Sequence, residues 1–253
     1  MDPLLDFTGK VAVITGAAQG FGKLLAEELA KRGAKLVISD INEAGVHKVA
    51  GDIAATGVEI IALKCDVSKN TDCKAMVDAA IENFGRVDIG VNNAGVAHGF
   101  TAFHEIDEAL MDSQFAINVK GVQFGMSHQI EQMLKQEGGA ILNVSSMAGL
   151  NGAARVAAYS MAKHAVIGLT KTGAVEYGRH NIRINAICPF FTLTNMVTDM
   201  ADEGMREKMS RGAPMKRLGE PKEIVAMMLM MLSPENTYMS GQCIAIDGGV
   251  SAQ

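Results

Sequence analysis

Short apolar runs alternate along the chain with longer stretches of helical periodicity. Residues 10–15 and 36–40 are near-continuous apolar runs, the pattern of strands buried on both faces. Between them Leu24, Leu25 and Leu29 recur at helical spacing, and the pattern stops at Gly33. The same alternation predicts strands at 60–63, 87–91, 140–144, 182–187 and 242–246. It predicts helices over 68–84 with Ser68 as N-cap, over most of 106–136, and over a buried segment from Ala157 through Ile167 and Leu169 to Val175. Pro221 suits the first turn of a last helix, whose buried face would hold Met227, Met228, Met230 and Met231. No repeat, linker or low-complexity stretch interrupts the series. Strands alternating with helices from end to end predict an α/β fold: a single-domain, doubly wound (Rossmann) parallel sheet of about seven strands, helices on both faces, over residues 1–253.

Composition narrows the function. The 253 residues are 48% hydrophobic, enough for a large core. The net charge is -5 with no basic run, which argues against nucleic acid and anionic membranes. Cys65, Cys73, Cys188 and Cys243 are scattered with no C-x-x-C, so neither a disulfide framework nor a metal site is expected, and a reducing, cytoplasmic setting fits. The first seven residues hold two Asp and a Pro, unlike a signal segment, and no apolar run reaches 18 residues.

Candidate chemistry sits where strands end. Gly16-x-x-x-Gly20-x-Gly22 follows the first strand and opens the first helix. Small residues there let a backbone approach a pyrophosphate, and the N–H groups and dipole of the following helix favour its charge. Asp40 ends the second strand, 18 residues past Gly22, where a carboxylate can accept from adenosine ribose hydroxyls. No Arg or Lys occupies 17–19 or 41–42 to pair with a 2′-phosphate, which favours NAD over NADP. An Asp capping the next helix is the plainer reading. Tyr159 and Lys163 are four residues apart, on one helix face. A free phenol holds its proton to pH ~10, and an adjacent ammonium favours the phenolate, so the pair reads as a general acid/base unit.

In this order the motifs resemble the short-chain dehydrogenase/reductase family over roughly residues 8–249. The glycine motif matches at Thr15, Gly16, Gly20 and Gly22, the segment 92–95 matches an Asn-Asn-Ala-Gly signature, and Tyr159 and Lys163 match the Y-x-x-x-K pair. The resemblance implies catalytic roles for Asn118, Ser146, Tyr159 and Lys163; Ser146 is preferred to Ser145 because it lies 13 residues before Tyr159. It implies cofactor contacts from Gly16, Gln19, Gly20, Phe21, Gly22, Asp40, Asp66, Val67, Asn93, Ala94, Gly95, Tyr159, Lys163, Pro189, Thr192 and Thr194. Asp66 and Val67 would lie by the adenine, Asn93 by the adenosine ribose, Thr192 and Thr194 by the carboxamide and phosphates, and Asn118 would hold a water. A homotetramer is implied as well. Phe190 stands where the family usually has glycine, losing backbone freedom and adding bulk. Phe21 stands where it commonly has Ile.

These readings together describe an NAD-dependent oxidoreductase acting on a mainly apolar secondary alcohol or ketone, cyclic or steroid-like among the options. A 3-oxoacyl-carrier reductase and a non-catalytic nucleotide-sensing protein on the same fold are the alternatives. Residues 190–215, rich in Met and with few fixed core anchors, are expected to form a substrate lid. Arg155 reads as a solvent or subunit contact, or as a grip on an acidic substrate. His98 reads as inert, or as a hydrogen-bond partner of the substrate.

Overall fold

The computed structural model describes residues 2–136 and 138–252. In chain order the first half comprises β1 (Val11–Thr15), α1 (Gly20–Ala30), β2 (Lys35–Asp40), α2 (Glu43–Ala54), β3 (Ile60–Lys64), α3 (Asn70–Phe84), β4 (Ile89–Asn92), α4 (Glu108–Gln114) and α5 (Gly121–Lys135). The second comprises β5 (Gly139–Val144), α6 (Ala157–Tyr177), β6 (Ile182–Pro189), α7 (Asn195–Met200), α8 (Glu203–Gly212), α9 (Pro221–Leu232) and β7 (Cys243–Ile246). All seven strands run parallel in the order β3-β2-β1-β4-β5-β6-β7. The order reverses between β1 and β4, which opens a crevice outside the strand C-termini.

Strand alternation divides the interior. Ala12 and Ile14 of β1 face a core shared with α1, α2 and α9, through Leu25, Val46 and Met228. Val11 and Val13 face the other core, shared with α3, α5 and α6 through Met76, Ile130 and Val166. This is why these strands read as continuous apolar runs: neither face meets water. Among the described residues no helix is long and apolar enough to cross a membrane.

Several local expectations change. Ser68 is not the cap of α3, whose N-cap is Lys69; its hydroxyl and N–H go to the Asp66 carboxylate at 2.7 and 3.1 Å. The helical stretch over 106–136 breaks into α4, a π-helical turn over Phe115–Lys120, and α5. Val175, expected inside, is 88% exposed on the outer face of α6. Met228 and Met231 are buried as expected, while Met230 faces outward. The segment over 190–215 folds into α7 and α8 around a small core of Val197, Ala201, Met209 and Leu218, so it has more anchors than its composition suggests.

A buried polar network lies behind the strand ends. The Asn92 amide on β4 donates to Asn143 Oδ1 of β5 (2.9 Å) and to Gln129 Oε1 of α5 (3.1 Å), and Gln129 donates back to Asn92 Oδ1. Asn143 in turn donates to Thr170 Oγ1 of α6 at 2.9 Å. Every member is satisfied, and the network ties two strands to two helices. Asn143→Ala strands the Asn92 and Thr170 groups in the interior. The expected cost is about 2 kcal/mol, read as a fall of roughly 4–8 °C in the melting midpoint. A calorimetric scan showing no change would deny the network any part in stability.

Candidate active site

The glycine turn after β1 is locked to the loop after β4. Asn93 donates through its amide to the carbonyls of Thr15 and Gly16, both at 2.9 Å. Thr15 Oγ1 accepts from the N–H groups of Asn93 and Ala94 at 2.9 and 3.0 Å. Gly16 and Gly20 have φ of 67° and 58°, the left-handed region that only glycine enters without strain. Gly22 serves differently: a Cβ there would collide with the Gly16 carbonyl. No side chain caps the N-terminus of α1, whose first residues line the cleft.

Asp40 is held from two sides. Its Oδ2 accepts from Ala18 N–H and its Oδ1 from Asn42 N–H, each at 2.9 Å. The cap of α2 is Asn42, which accepts from Gly45 N–H, so the carboxylate is fixed at the cleft wall rather than used as the helix cap. Asp66 lines the same end, its carboxyl held below the usual range chiefly by the Ser68 hydroxyl.

At the other end Lys163 lies four residues past Tyr159 on α6, with Nζ 5.6 Å from the Tyr ring centroid. The ammonium is buried and donates to the Val144 carbonyl at 2.9 Å. Burial pulls its pKa down to about 8. Burial also pushes the Tyr159 phenol above its ordinary value, opposed by a hydrogen bond with Ser146. Desolvation outweighs the lowering expected from the spacing to Lys163. Ser146 ends the β5 segment, and its Oγ accepts from Ala148 N–H at 3.1 Å. Cys188, beside these groups, has its thiol pushed up to about 12 by burial.

Asn118 sits in the π-helical turn and reaches the site only from behind. Its Oδ1 accepts from Val96 N–H, and its Nδ2 donates to the Val96 carbonyl and to Gln114 Oε1, at 2.9, 2.8 and 2.7 Å. Both amide hydrogens and one lone pair of Oδ1 are engaged, so the side chain holds the loop after β4.

One cleft of about 810 Å³ joins the glycine turn, Asp40, Gly95, Ser146, Tyr159 and Lys163. Gln19, Phe21, Val67, Pro189, Thr192 and Thr194 line it as well. Its far end is apolar, formed by Phe100, Met147, Phe190, Met196, Met205 and Val250. Phe190 has no positive φ, so its backbone is unstrained, and its ring packs edge-on against Phe191 at 4.7 Å on the cleft wall. His98 and Arg155 are not on the cleft wall. His98 Nε2 accepts from Tyr159 N–H at 3.4 Å and its Nδ1 pairs with the Gly99 carbonyl at 2.7 Å. The exposed Arg155 joins two loops through its carbonyl, which accepts from Thr101 N–H at 2.9 Å. Val250, Gln114 and Lys208 went unnoticed in the sequence; for Lys208 the helical spacing from Met205 was the available signal.

The family described as Enoyl-(Acyl carrier protein) reductase matches residues 16–251. A short chain dehydrogenase/reductase, astE, of Aspergillus oryzae is 38% identical, covering 96% of this chain and 95% of that protein. A cyclohexanol dehydrogenase of an Acinetobacter species is 34% identical, covering 98% and 97%. The crystal structure of a 3-ketoacyl-(acyl-carrier-protein) reductase from Brucella melitensis complexed with NADH superposes with a TM-score of 0.89. It is 35% identical, covering 97% of this chain and all of that one.

Burial of the Lys163 ammonium links stability to pH. The cost is fully present below about 8, and it fades as pH rises toward the ordinary lysine value of 10.5. Thermal midpoints of wild type and Lys163→Met, taken without cofactor from pH 7 to pH 10, should shift in favour of wild type above pH 8. A constant gap would mean that the ammonium is not desolvated.

Proposed function

The chain belongs to the short-chain dehydrogenase/reductase family of oxidoreductases, and on that premise we propose that it transfers a hydride between NAD(H) and a mainly apolar secondary alcohol or ketone, cyclic bodies among them. One observation carries this reading. Ser146, Tyr159 and Lys163 stand where a glycine-lined half of one cleft meets an apolar half. The cyclohexanol dehydrogenase relative and the NADH complex of the Brucella reductase support it.

The residues fit a dinucleotide. The uncapped N-terminus of α1 and the left-handed glycines offer N–H groups to a pyrophosphate. Asp40 is oriented to accept from ribose hydroxyls, and Asp66 and Val67 flank the adenine position. Gly95, Pro189, Thr192 and Thr194 border the nicotinamide end. A bound nicotinamide supplies or accepts the hydride. Tyr159 gives its phenolic proton to a ketone oxygen, or takes the hydroxyl proton of an alcohol. Near neutral pH the phenol holds its proton, as a free phenol does and burial reinforces, which is the form that donates to a ketone; taking an alcohol's proton needs the phenolate. Ser146 holds the substrate oxygen against Tyr159. Lys163 holds the nicotinamide ribose, and Asn118 fixes the loop over which the ring would lie. Residues 190–215 act as a lid that excludes water. Assembly into a homotetramer belongs to the same proposal, supported by the exposed apolar Val175 and Tyr238.

Reduction of an acyl-carrier 3-ketone is a second reading, favoured by the description of the matched family. A panel of cyclic ketones beside a 3-oxoacyl thioester separates the two. Faster turnover of the thioester would favour the second.

NAD should be preferred to NADP by a factor of a hundred or more in kcat/KM. A 2′-phosphate would face the fixed Asp40 carboxylate, at a cost of a few kcal/mol, about 1.4 kcal/mol per decade. Asp40→Ala should narrow the ratio; a wild-type ratio near one would remove this basis for NAD.

Tyr159→Phe should lower kcat below about a hundredth of wild type, a loss in the range of general acid–base catalysis. NADH affinity, followed by its fluorescence, should stay within a few-fold. Substantial residual turnover would place the acid elsewhere.

A further inference from the structure

Four charged residues line the cleft: Asp40 and Asp66 at the adenosine end, Lys163 beside Tyr159, and Lys208 on α8. Lys208 is thus the single charge on the apolar, substrate end. It shares a helix face with Met205, three residues before it, and both line the cleft with Met209. Its own helix gives it no partner. Positions three and four away are Gly204, Met205, Arg211 and Gly212. Glu207 is occupied by Arg211 at 2.7 Å, and Asp202 accepts from Met205 N–H as the cap of α8. Among the described residues no carboxylate lies within ion-pair distance of Lys208 Nζ, whereas Arg211 on the same helix is paired with Glu207. The lysine is exposed and lines the cleft.

We propose that the substrate is an apolar secondary alcohol or ketone carrying a carboxylate on a flexible tail, and that Lys208 binds this carboxylate at the cleft mouth while the apolar body lies among Phe100, Met147, Met196 and Met205. The inference rests on the oxidoreductase reading above and deepens it. The geometry suits the task. A carbonyl held at Ser146 and Tyr159 leaves the rest of the molecule pointing along an uncharged wall, and an anion at its far end meets one cation and no competing acid. Arg155, the basic residue that the sequence suggested for an acidic substrate, is turned away from this wall. An ammonium facing the cleft could serve instead as a contact for the cofactor phosphates, and the test distinguishes the two.

The probes are cyclohexanones with saturated tails of several lengths, each ending in a carboxylate or in the matching primary amide. Binding is measured by calorimetry on the NAD complex, in which a ketone has no hydride to receive, and turnover by NADH consumption. In wild type the best carboxylate should bind at least tenfold more tightly than its amide, about 1.4 kcal/mol. The preference should appear in KM rather than kcat. The carboxylate-to-amide ratio should collapse toward one in Lys208→Gln and invert in Lys208→Glu. The ratio is taken within each protein, so a general loss of stability cancels. Equal binding of acid and amide in wild type, or an unchanged ratio in both variants, overturns the proposal. So does a Lys208→Gln effect confined to NADH affinity, which would assign the lysine to the cofactor. Carboxylate-selective binding without turnover would instead leave the Lys208 site standing and count against the oxidoreductase reading.

Discussion

The site depends on burying one ammonium. Lys163 lies inside the sheet end with 4% of its surface exposed, and its surroundings are arranged to admit it. Gly95 leaves room above it: a Cβ there would stand 3.4 Å from Nζ and 2.8 Å from Asn118 Oδ1. Gly149 lets the turn after β5 close on α6, where a Cβ would come within 2.6 Å of the Lys163 carbonyl. That carbonyl accepts from Ser145 Oγ at 2.9 Å, and Nζ donates to Val144. Two glycines, a serine and a strand carbonyl thus hold the first turns of α6 against β5. Tyr159 and Ser146 inherit their positions from that contact. The arrangement is costly, since a charge in so dry a place loses solvation. Packing and hydrogen bonding of the whole helix offset the cost.

The polar interior continues this logic beneath the cleft. Asn92, Gln129, Asn143 and Thr170 give the strand ends a set of mutually satisfied groups that an apolar core could not align as narrowly. The loops above are joined by Thr15, Asn93 and Asn118 acting on backbone groups of other segments. Asn93 and Asn118, read from the sequence as site residues, thus also serve as fasteners. Asn93 spends both amide hydrogens on the glycine turn, and Asn118 spends its amide on Val96 and Gln114. What faces the cleft is mostly backbone, carboxylate, hydroxyl and apolar surface, with Lys163 and Lys208 as its two cations.

The strands, the glycine turn and the Tyr–Lys pair were legible because each is written in local spacing. Strand runs need only their own residues, and a four-residue interval on a helix fixes a shared face whatever surrounds it. Tertiary choices were not legible. Ser68 was a sound cap by local rules, yet the Asp66 carboxylate claims it. Val175 fits an apolar series, but α6 turns it outward. The sign of the Tyr159 shift was misread for the same reason: spacing reveals the neighbouring ammonium, whereas desolvation depends on everything packed around the ring. The apolar face of α8 was visible as spaced methionines. That Lys208 shares it became meaningful only once α8 was seen closing one wall of the cleft.

Phe190 shows how a departure read from sequence changes meaning in three dimensions. Losing a glycine meant less backbone freedom and more bulk at the nicotinamide side; Phe190 adopts no left-handed conformation, and its N–H donates to the Ile246 carbonyl at 3.1 Å. Its ring instead meets Phe191 and the end of α8. A Cβ at Gly212 would lie 3.6 Å from the ring edge, ordinary contact distance, so this glycine lets the helix end run close by the ring. The phenyl ring thus touches both the floor of the apolar cleft and the helix that carries Met205, Lys208 and Met209. A change at this ring alters the packing of α8 as well as the shape of the cleft. The width of the cleft and the seat of α8 therefore meet at one side chain.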